Sequence, residues 1–362
     1  MATKPVLNQF NPDYAIHPGE ILEETLKSRS ISHMELANRI GLSMKTVSQI
    51  TNGKAPLTAE TAIHLEKALG VSAQLWNNLD AKYRLFQAKE THHERMKEQI
   101  GWLDTFPTET LRSMKVFSRQ ANPVDNLEKL LAFFGVSSPE AWKSRYSKLA
   151  VNFRKTSAFS SSWQSVTCWL RLSELDAEEI RTKPFSMERF KAALSEIRKF
   201  TAIAVEEIQT RMKVECADSG VAVTFIRELP KTRVCGATMW LTAEKALLSL
   251  SLRYKSNDQF WFSFFHEAGH IILHGKKELF VEEHGSEGNA QENEADRFAT
   301  SLLFPVGTYE EFIARGQFYA ADIMDYARSI NLAPGIVVGR LQHDKHIKYE
   351  WHNRLKERFQ FT

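Results

Sequence analysis

The sequence predicts a mainly helical protein of the α+β class, in which strands are confined to one short C-terminal stretch. Three observations predict this class. Residues 14–80 contain five short helical patterns, residues 81–215 continue with helical periodicity, and residues 221–252 change to the two-residue alternation of strands. After the strands, the helical period returns in an apolar run that carries two histidines one turn apart.

Length and composition indicate a folded globular protein of two or three domains. The chain has 362 residues, of which 43% are hydrophobic and 25% are charged. It shows neither an apolar run long enough to cross a bilayer nor the pattern of a signal peptide, so we expect a cytoplasmic protein without a membrane partner. Three scattered cysteines do not form a disulfide framework. The net charge of +3 permits nucleic-acid binding without arguing for it.

Five helices are predicted near the N-terminus because each has its own start signal. Pro18 opens the first, and Ser32, Ser43, Thr58 and Ser72 cap the four that follow. The predicted spans are Pro18–Lys27, His33–Ile40, Met44–Thr51, a fourth helix to Leu69 and a fifth that carries Trp76. The apolar positions that interlock as a small core are Leu36, Ala37, Ile40, Leu42, Val47 and Ile50.

The second and third helices, joined by a turn at Gly41, fit a helix-turn-helix pair, whose later helix enters the major groove of DNA. Lysine and glutamine on the free face of the third helix can reach base edges, and polar residues at its end suit phosphates. The alternative is a packing module without a DNA role, and the near balance of acids and bases in residues 1–90 favours it. The predicted DNA-binding residues are Ser43, Met44, Lys45, Thr46, Ser48, Gln49, Asn52 and Lys54.

Residues 14–90 also carry a specific resemblance. The string His17-Pro18-Gly19-Glu20, followed by Leu36-Ala37-Asn38-Arg39-Ile40-Gly41-Leu42-Ser43, by Asn52-Gly53-Lys54 and by Leu69-Gly70-Val71-Ser72, resembles the Cro/C1-type (XRE) domain of HigA antitoxins. The resemblance implies a five-helix DNA-binding domain that acts as a homodimer on double-stranded operator DNA. It outweighs the weak charge argument against DNA binding.

The middle of the chain is helical and carries no spacing of catalytic chemistry. Residues 81–100 are dense in charge and are expected to form a solvated helical connector. One long amphipathic helix is predicted from Phe190 to Met212. After Gly220, strands at Val221–Ile226, Val234–Leu241 and Leu247–Leu252 predict a small antiparallel sheet. A strand at its rim could add an extended peptide, as a peptidase requires.

The apolar run that follows contains His266-Glu267-Ala268-Gly269-His270. On a helix, His266 and His270 lie on one face one turn apart, so both imidazoles can reach one metal ion. Glu267 is offset from that face and can hold the attacking water and take its proton. This spacing is the signature of zinc peptidases. The alternative is two satisfied core histidines with a chance glutamate.

A third ligand must come from another helix. His274 lies about 12 Å along the axis from His266, too far for a bond of about 2.1 Å. The helical segment 289–305 offers Glu292, near the centre of its apolar stripe, and Glu294 as the rival. Asp296, one turn after Glu292, could orient a zinc-bound histidine. We choose Glu292 as the third ligand. The alternative for either glutamate, taken alone, is a solvated residue on the helix surface.

These residues carry a second resemblance. The strings Phe265-His266-Glu267-Ala268-Gly269-His270 with Leu273-His274-Gly275, then Glu292-x-x-Ala295-Asp296-x-Phe298-Ala299, then Leu302-Leu303-x-Pro305 resemble the ImmA/IrrE family of metallo-endopeptidases. The resemblance implies a zincin-like fold and a cytoplasmic, Zn²⁺-dependent enzyme, several relatives of which cleave a partner repressor. It also implies a closing helix near residues 333–343. Many members have Asn where this chain has Asp296.

Together these observations predict a helix-turn-helix domain in residues 1–90, a helical connector in 91–150 and a metallopeptidase domain in 151–362 with its metal core in 216–305. Zn²⁺ is expected on His266, His270 and Glu292, with Glu267 as general base. The leading interpretation is a DNA-binding regulator fused to an endopeptidase that cleaves a repressor or partner protein in a stress, phage or toxin–antitoxin response. The alternative is a HigA-type antitoxin and autorepressor whose metal domain binds a toxin or ligand without proteolysis.

Overall fold

The fold was analysed in a computed structural model, which describes residues 14–118, 120–147, 162–202, 208–251, 256–276, 279–283 and 290–359. The chain divides into two compact units, residues 1–100 and 101–362. The mainly helical α+β class is confirmed. Among the described residues, no helix is long and apolar enough to cross a membrane. The three-part division at residues 90 and 150 stays a prediction.

The first unit contains the five predicted helices. They are α1 (Pro18–Ser28), α2 (His33–Ile40), α3 (Met44–Thr51), α4 (Ala59–Leu69) and α5 (Ala73–Glu98). The side chains of Ser32, Ser43, Thr58 and Ser72 each accept a hydrogen bond from the main-chain N–H three residues later, so the predicted caps of α2 to α5 are present. The charged residues predicted as a connector continue α5 to Glu98 without a break.

The core of the first unit holds α2 and α3 against their neighbours. Leu36, Val47 and Ile50 are buried, as the apolar pattern predicts, and Trp76 of α5 is fully buried among them. Gly41 ends α2 with φ of 69°, a left-handed conformation that costs little only for glycine. This turn sets the angle between the two helices.

The second unit begins with helices around an aromatic core. These helices are α6 (Thr108–Ser113), α7 (Pro123–Phe134), α8 (Pro139–Arg145) and α9 (Trp163–Glu179). Phe134, Trp142 and Trp169 are fully buried at the centre of this core. Helices α10 (Met187–Lys199) and α11 (Ile208–Asp218) follow, and most of their buried residues belong to a second, larger core.

The prediction of one helix from Phe190 to Met212 is wrong. Helix α10 ends at Lys199 in a tighter 3₁₀ turn over Phe200–Ala202, and α11 covers Ile208–Asp218. Residues 203–207 of the predicted helix lie outside the described part of the chain. The apolar period runs through both helices, so the pattern itself contains no sign of the break.

Among the residues that the structure describes, four strands form a mixed sheet in the order β1-β3-β2-β4. They are β1 (Val221–Ile226), β2 (Val234–Thr242), β3 (Lys245–Ser251) and β4 (Phe280–Glu283). The expectation of a wholly antiparallel sheet is wrong, because β1 pairs in parallel with β3. The β2–β3 hairpin forms the centre of the sheet: β1 pairs with the outer edge of β3, and β4 pairs with the outer edge of β2. Alternation records which residues face the core, but it does not record strand direction.

Both faces of the sheet are covered, which explains why β1 is buried along most of its length. Val221 and Val223 face the large core that also contains α12 (Asn257–Leu273). Ala222 and Leu247 face α9 on the opposite side. Helix α12, which carries both histidines, therefore lies in a dry layer between the sheet and the helices that follow.

The helices that follow are α13 (Ala290–Leu303), α14 (Thr308–Ala314), α15 (Ala320–Ser329) and α16 (Pro334–His343). The Arg198 guanidinium of α10 donates to the carbonyls of Leu302 and Leu303 at 2.7 and 2.9 Å, and to that of Ile330 at 2.9 Å. These bonds satisfy carbonyl groups at the end of α13 and hold that helix in place. Helix α16 packs on α12, at the position of the expected closing helix.

Candidate metal centre and DNA-facing helix

Helix α12 places three polar side chains in an apolar layer. His266 and His270 are 2% exposed and Glu267 is fully buried. Close packing brings α13 to this site, because Gly269 has no side chain where it faces α13: a Cβ there would lie 3.2 Å from Ala295 Cα. The carboxylates of α13 thus reach the histidines.

Three donor atoms meet at one point. His266 Nε2 lies 3.0 Å from Glu292 Oε2 and 3.0 Å from His270 Nε2, and His270 Nε2 lies 3.5 Å from Glu292 Oε2. In a tetrahedral zinc site with bonds of about 2.1 Å, neighbouring donors are about 3.4 Å apart. The two nitrogens and one carboxylate oxygen fit a zinc ion in both chemistry and spacing.

The second nitrogen of each histidine also has a partner. His266 Nδ1 lies 2.8 Å from Asp296 Oδ1, and His270 Nδ1 lies 2.9 Å from His274 Nδ1. His274 Nε2 in turn lies 3.2 Å from Glu294 Oε2. The structure therefore places Glu294 against His274, while Glu292 faces the two donor nitrogens. Partners of this kind fix the tautomer and the orientation of a metal-binding imidazole.

Glu267 is held from one side only. The Thr238 hydroxyl of β2 donates to Glu267 Oε2 at 2.6 Å and lies 3.1 Å from its main-chain oxygen. Glu267 Oε1 is buried and has no hydrogen-bond partner among the described residues. Gly236 allows this position, since a Cβ there would lie 2.6 Å from Oε1. A buried carboxylate oxygen without a partner suits a group that must receive a water.

Burial and proximity set the charges of the site. Burial favours neutral His266, but hydrogen bonds with Asp296 and Glu292 outweigh it and raise the pKa of this imidazole to about 11. Burial opposes ionisation of Glu292, yet its bonds with His266 and His270 lower its pKa to about 2. Burial lowers the pKa of His270 and raises that of Glu267. These pKa shifts favour a cationic His266 between carboxylates.

Sequence reasoning missed four residues that contact or border the site. Thr238 and Gly236 of β2 flank Glu267, and β4 adds two side chains from the sheet edge. The Phe280 ring stacks on His270 with centroids 4.0 Å apart, and Glu282 lines the same cleft. Burial raises the pKa of Glu282. Strand β4 has only four residues, too few for alternation to reveal it.

The predicted DNA-binding residues lie on α3 and its two ends. Met44 and Lys45 are exposed, and Gln49 is half-buried on the same helix. Ser43 and Asn52 also stabilise the helix ends: the Ser43 hydroxyl accepts from Thr46 N–H, and the Asn52 side chain donates to the Ser48 carbonyl at 2.7 Å. The remaining predicted contacts are the partly buried side chains of Thr46 and Ser48 and the exposed side chain of Lys54.

Two family models match separate parts of the chain. A family model described as Helix-turn-helix matches residues 22–76, and one described as IrrE N-terminal-like domain matches residues 238–333. The HTH-type transcriptional regulator YddM of Escherichia coli K12 is 38% identical over 74 residues, which cover 20% of this chain and 79% of that protein. The chain belongs to the XRE-type helix-turn-helix family and carries a C-terminal IrrE-like domain.

Two further relatives are antitoxins by name. Antitoxin HigA-1 of Vibrio cholerae is 35% identical over 80 residues, covering 22% of this chain and 75% of the relative. A structure of the Pseudomonas aeruginosa antitoxin HigA with the higBA promoter shares 35% identity and covers 24% of this chain and 94% of that one, with a TM-score of 0.22. IrrE-like domains are typically metal-dependent, and the match spans His266, His270 and Glu292.

Proposed function

We propose that the chain is a DNA-binding regulator whose IrrE-like domain is a zinc endopeptidase acting on a repressor or another partner protein. The observation that carries this proposal is the unpartnered, buried Glu267 oxygen beside three converging metal donors. If His266 and His270 were only core residues with their hydrogen bonds complete, they would not need the Glu267 carboxylate, with its unpartnered oxygen, next to them. A hydrolase that must activate water does need one.

In this proposal His266, His270 and Glu292 hold Zn²⁺, which when bound polarises the scissile carbonyl and acidifies water. Glu267 takes a proton from the attacking water and passes it to the leaving amine. The Thr238 bond to Oε2 keeps the other oxygen, Oε1, free for this transfer. Burial raises the pKa of Glu267, which suits a group that must both accept and return a proton.

The edge strand β4 would hold the substrate. In the described part of the chain β4 is an outer strand of the sheet, so one side of its backbone could pair with an extended peptide. Phe280, on this strand, stacks on His270, so a peptide paired along β4 would pass beside the donors. A main chain held straight in this position presents its carbonyl to the metal site.

The DNA-binding role is proposed for α3, acting in a homodimer on double-stranded operator DNA. Met44, Lys45, Thr46 and Gln49 would read base edges in the major groove. Ser43, Ser48, Asn52 and Lys54 would contact phosphates. The relatives named as transcriptional regulators and antitoxins support this role.

The competing function is that of a HigA-type antitoxin and autorepressor whose metal domain binds a toxin or ligand without proteolysis. The relative named as an antitoxin favours it. The two functions differ at Glu267, which is not a metal donor. Glu267→Gln keeps the shape of the side chain but cannot accept a proton at neutral pH.

The deciding experiment compares wild-type and Glu267→Gln proteins. Under the peptidase proposal, the variant should retain zinc and operator binding, lose cleavage of proteins encoded by neighbouring genes by about 10²–10⁴-fold, and leave an operator-driven reporter unresponsive to stress. Addition of a chelator to the wild-type protein should reproduce the loss of cleavage. A normal induced response in Glu267→Gln cells would contradict the peptidase proposal and support the antitoxin function.

A further inference from the structure

A groove of about 390 Å³ leads away from the metal donors in the second unit. One wall is a stripe of α12 that includes His266, Phe262 and Asp258, spaced one helical turn apart. At about 1.5 Å per residue, Asp258 lies about 12 Å along the axis from His266. Helices α13 and α16 supply the other walls. The volume lies within the ~300–1,000 Å³ typical of ligand pockets.

The walls of this groove are partly apolar. Phe262, Leu303, Phe304 and Ile336 line it between its two ends. Surfaces of this kind cover the methylene stem of a long side chain. The carbon atoms of these side chains cannot act as ligands for a small free cation.

The cations on the walls already have partners. Lys356 Nζ lies 2.5 Å from Asp258 Oδ2 and donates to Gln342 Oε1 at 2.7 Å. Arg340 Nε lies 2.8 Å from Asp344 Oδ2, off the line of its N–H, and Arg340 Nη1 donates to a hydroxyl of α13 at 3.1 Å. Each positive charge is therefore balanced by a carboxylate.

Not every carboxylate oxygen of the groove has a hydrogen-bond partner among the described residues. Glu292 and Asp296 contact the metal-site histidine His266, and Asp258 contacts Lys356. Glu282 Oε2 is buried and has no hydrogen-bond partner among the described residues. A hydrogen bond with Ser263 and the charge of His266 act on the same carboxyl group and oppose the rise in its pKa that burial causes. An unpartnered buried carboxylate oxygen carries a high desolvation cost, which a positively charged ligand group would offset.

The position of Glu282 places this oxygen beside the reacting centre. Glu282 follows Phe280 by two residues on β4, so both side chains point to the same face of the strand. Phe280 contacts His270 with its ring. Glu282 therefore shares a strand face with Phe280 and lines the groove together with His266 and Glu292.

We propose that this groove binds a lysine or arginine side chain of the protein substrate, adjacent to the scissile bond, and that Glu282 determines this specificity. The inference rests on the proposed peptidase function. The apolar walls cover the aliphatic stem, and Glu282 Oε2 receives the ammonium or guanidinium group. A norleucine side chain fills the same stem volume but leaves Glu282 Oε2 without a hydrogen-bond partner.

The test measures binding rather than turnover. Three dipeptide hydroxamates, identical except for lysine, norleucine or glutamate beside the zinc-binding group, are titrated calorimetrically into zinc-loaded full-length protein. The variants are Glu282→Gln and, as a matched control, Glu196→Gln, which alters an exposed glutamate of α10. The wild-type and control proteins should bind the lysine compound at least about tenfold more tightly than the norleucine compound. The Glu282→Gln protein should bind these two compounds with affinities within about twofold of each other.

Equal or tighter binding of the norleucine compound by the wild-type protein would overturn the inference, whether or not Glu282→Gln folds. A lysine preference that survives in Glu282→Gln would remove Glu282 as its determinant. Zinc content and cleavage by the wild-type protein are measured in parallel. A zinc-loaded, active protein without lysine preference refutes the groove assignment alone, whereas a protein that takes up no zinc refutes the proposed function and this inference with it.

Discussion

Gly236 is predicted to be important for the proposed peptidase activity because its missing side chain leaves room for Glu267, the proposed general base. A Cβ at this position would lie 2.6 Å from Glu267 Oε1 and 2.7 Å from its Cγ. Ordinary contacts begin at 3.4 Å, so in Gly236→Ala the carboxylate would have to withdraw by about 0.8 Å. Glu267 is fully buried and its other oxygen is bonded to Thr238, so this movement would displace the base from its working position.

A misplacement of about 1 Å at a reacting group costs on the order of 10²-fold in rate. We therefore expect Gly236→Ala to lower kcat/KM about 10²-fold. The three atoms nearest to the added Cβ all belong to Glu267 and none is a metal donor, so zinc should be retained. Overpacking should lower the free energy of unfolding by about 1–3 kcal/mol.

The assay is turnover of a quenched-fluorescence peptide library by zinc-loaded protein, with metal content and thermal unfolding measured on the same preparation. Gly275→Ala is the matched control, because nothing lies within 4 Å of a Cβ at that position. Wild-type turnover by folded, zinc-loaded Gly236→Ala would refute the reasoning. Equal loss of activity in Gly275→Ala would refute it as well.

Three further outcomes are expected. Without metal, His266 keeps its proton because its pKa is about 11. Zinc uptake near pH 7 should therefore release about one proton, and zinc affinity should rise with pH. Calorimetry in two buffers of different ionisation enthalpy measures the proton release, and zinc uptake without it would contradict this prediction. His274→Ala should weaken zinc binding about 10–100-fold in chelator competition, because His270 loses its partner, whereas exposed His346→Ala should bind zinc like the wild type. Gln49→Ala should relax base preference on operator DNA, whereas Lys54→Ala should weaken binding to all DNA sequences alike. If Gln49→Ala weakens binding to operator and random DNA equally, base readout by Gln49 would be excluded.

The features that the sequence predicted correctly arise within single segments. Caps such as Ser32 and Ser43 satisfy main-chain groups three residues away, and the apolar period sets which face of α2 and α3 is buried. The spacing of His266 and His270 works in the same way, because four residues make about one helical turn. Interactions of this range are visible in a short stretch of sequence, whatever the rest of the chain does.

The alternation of β1 to β3 predicted strands but not their directions, and the apolar period of residues 190–212 concealed the end of α10 at Lys199. In both cases the local pattern is the same for the correct and the incorrect arrangement. Strand direction and helix breaks depend on what packs against the segment, which local period does not record.

The composition of the site depended on tertiary structure. Glu292 and Glu294 are two residues apart and chemically equivalent, and only the approach of α13 at Gly269 places one beside the histidine nitrogens and the other beside His274. Glu282 shares no motif with the donors and enters the site through strand pairing of β4 with β2. The sequence by itself determined the helix and the placement of His266, Glu267 and His270 along it, because their geometry is local. Tertiary packing decided which carboxylates surround them, because contacts between distant segments depend on the shape of the whole core.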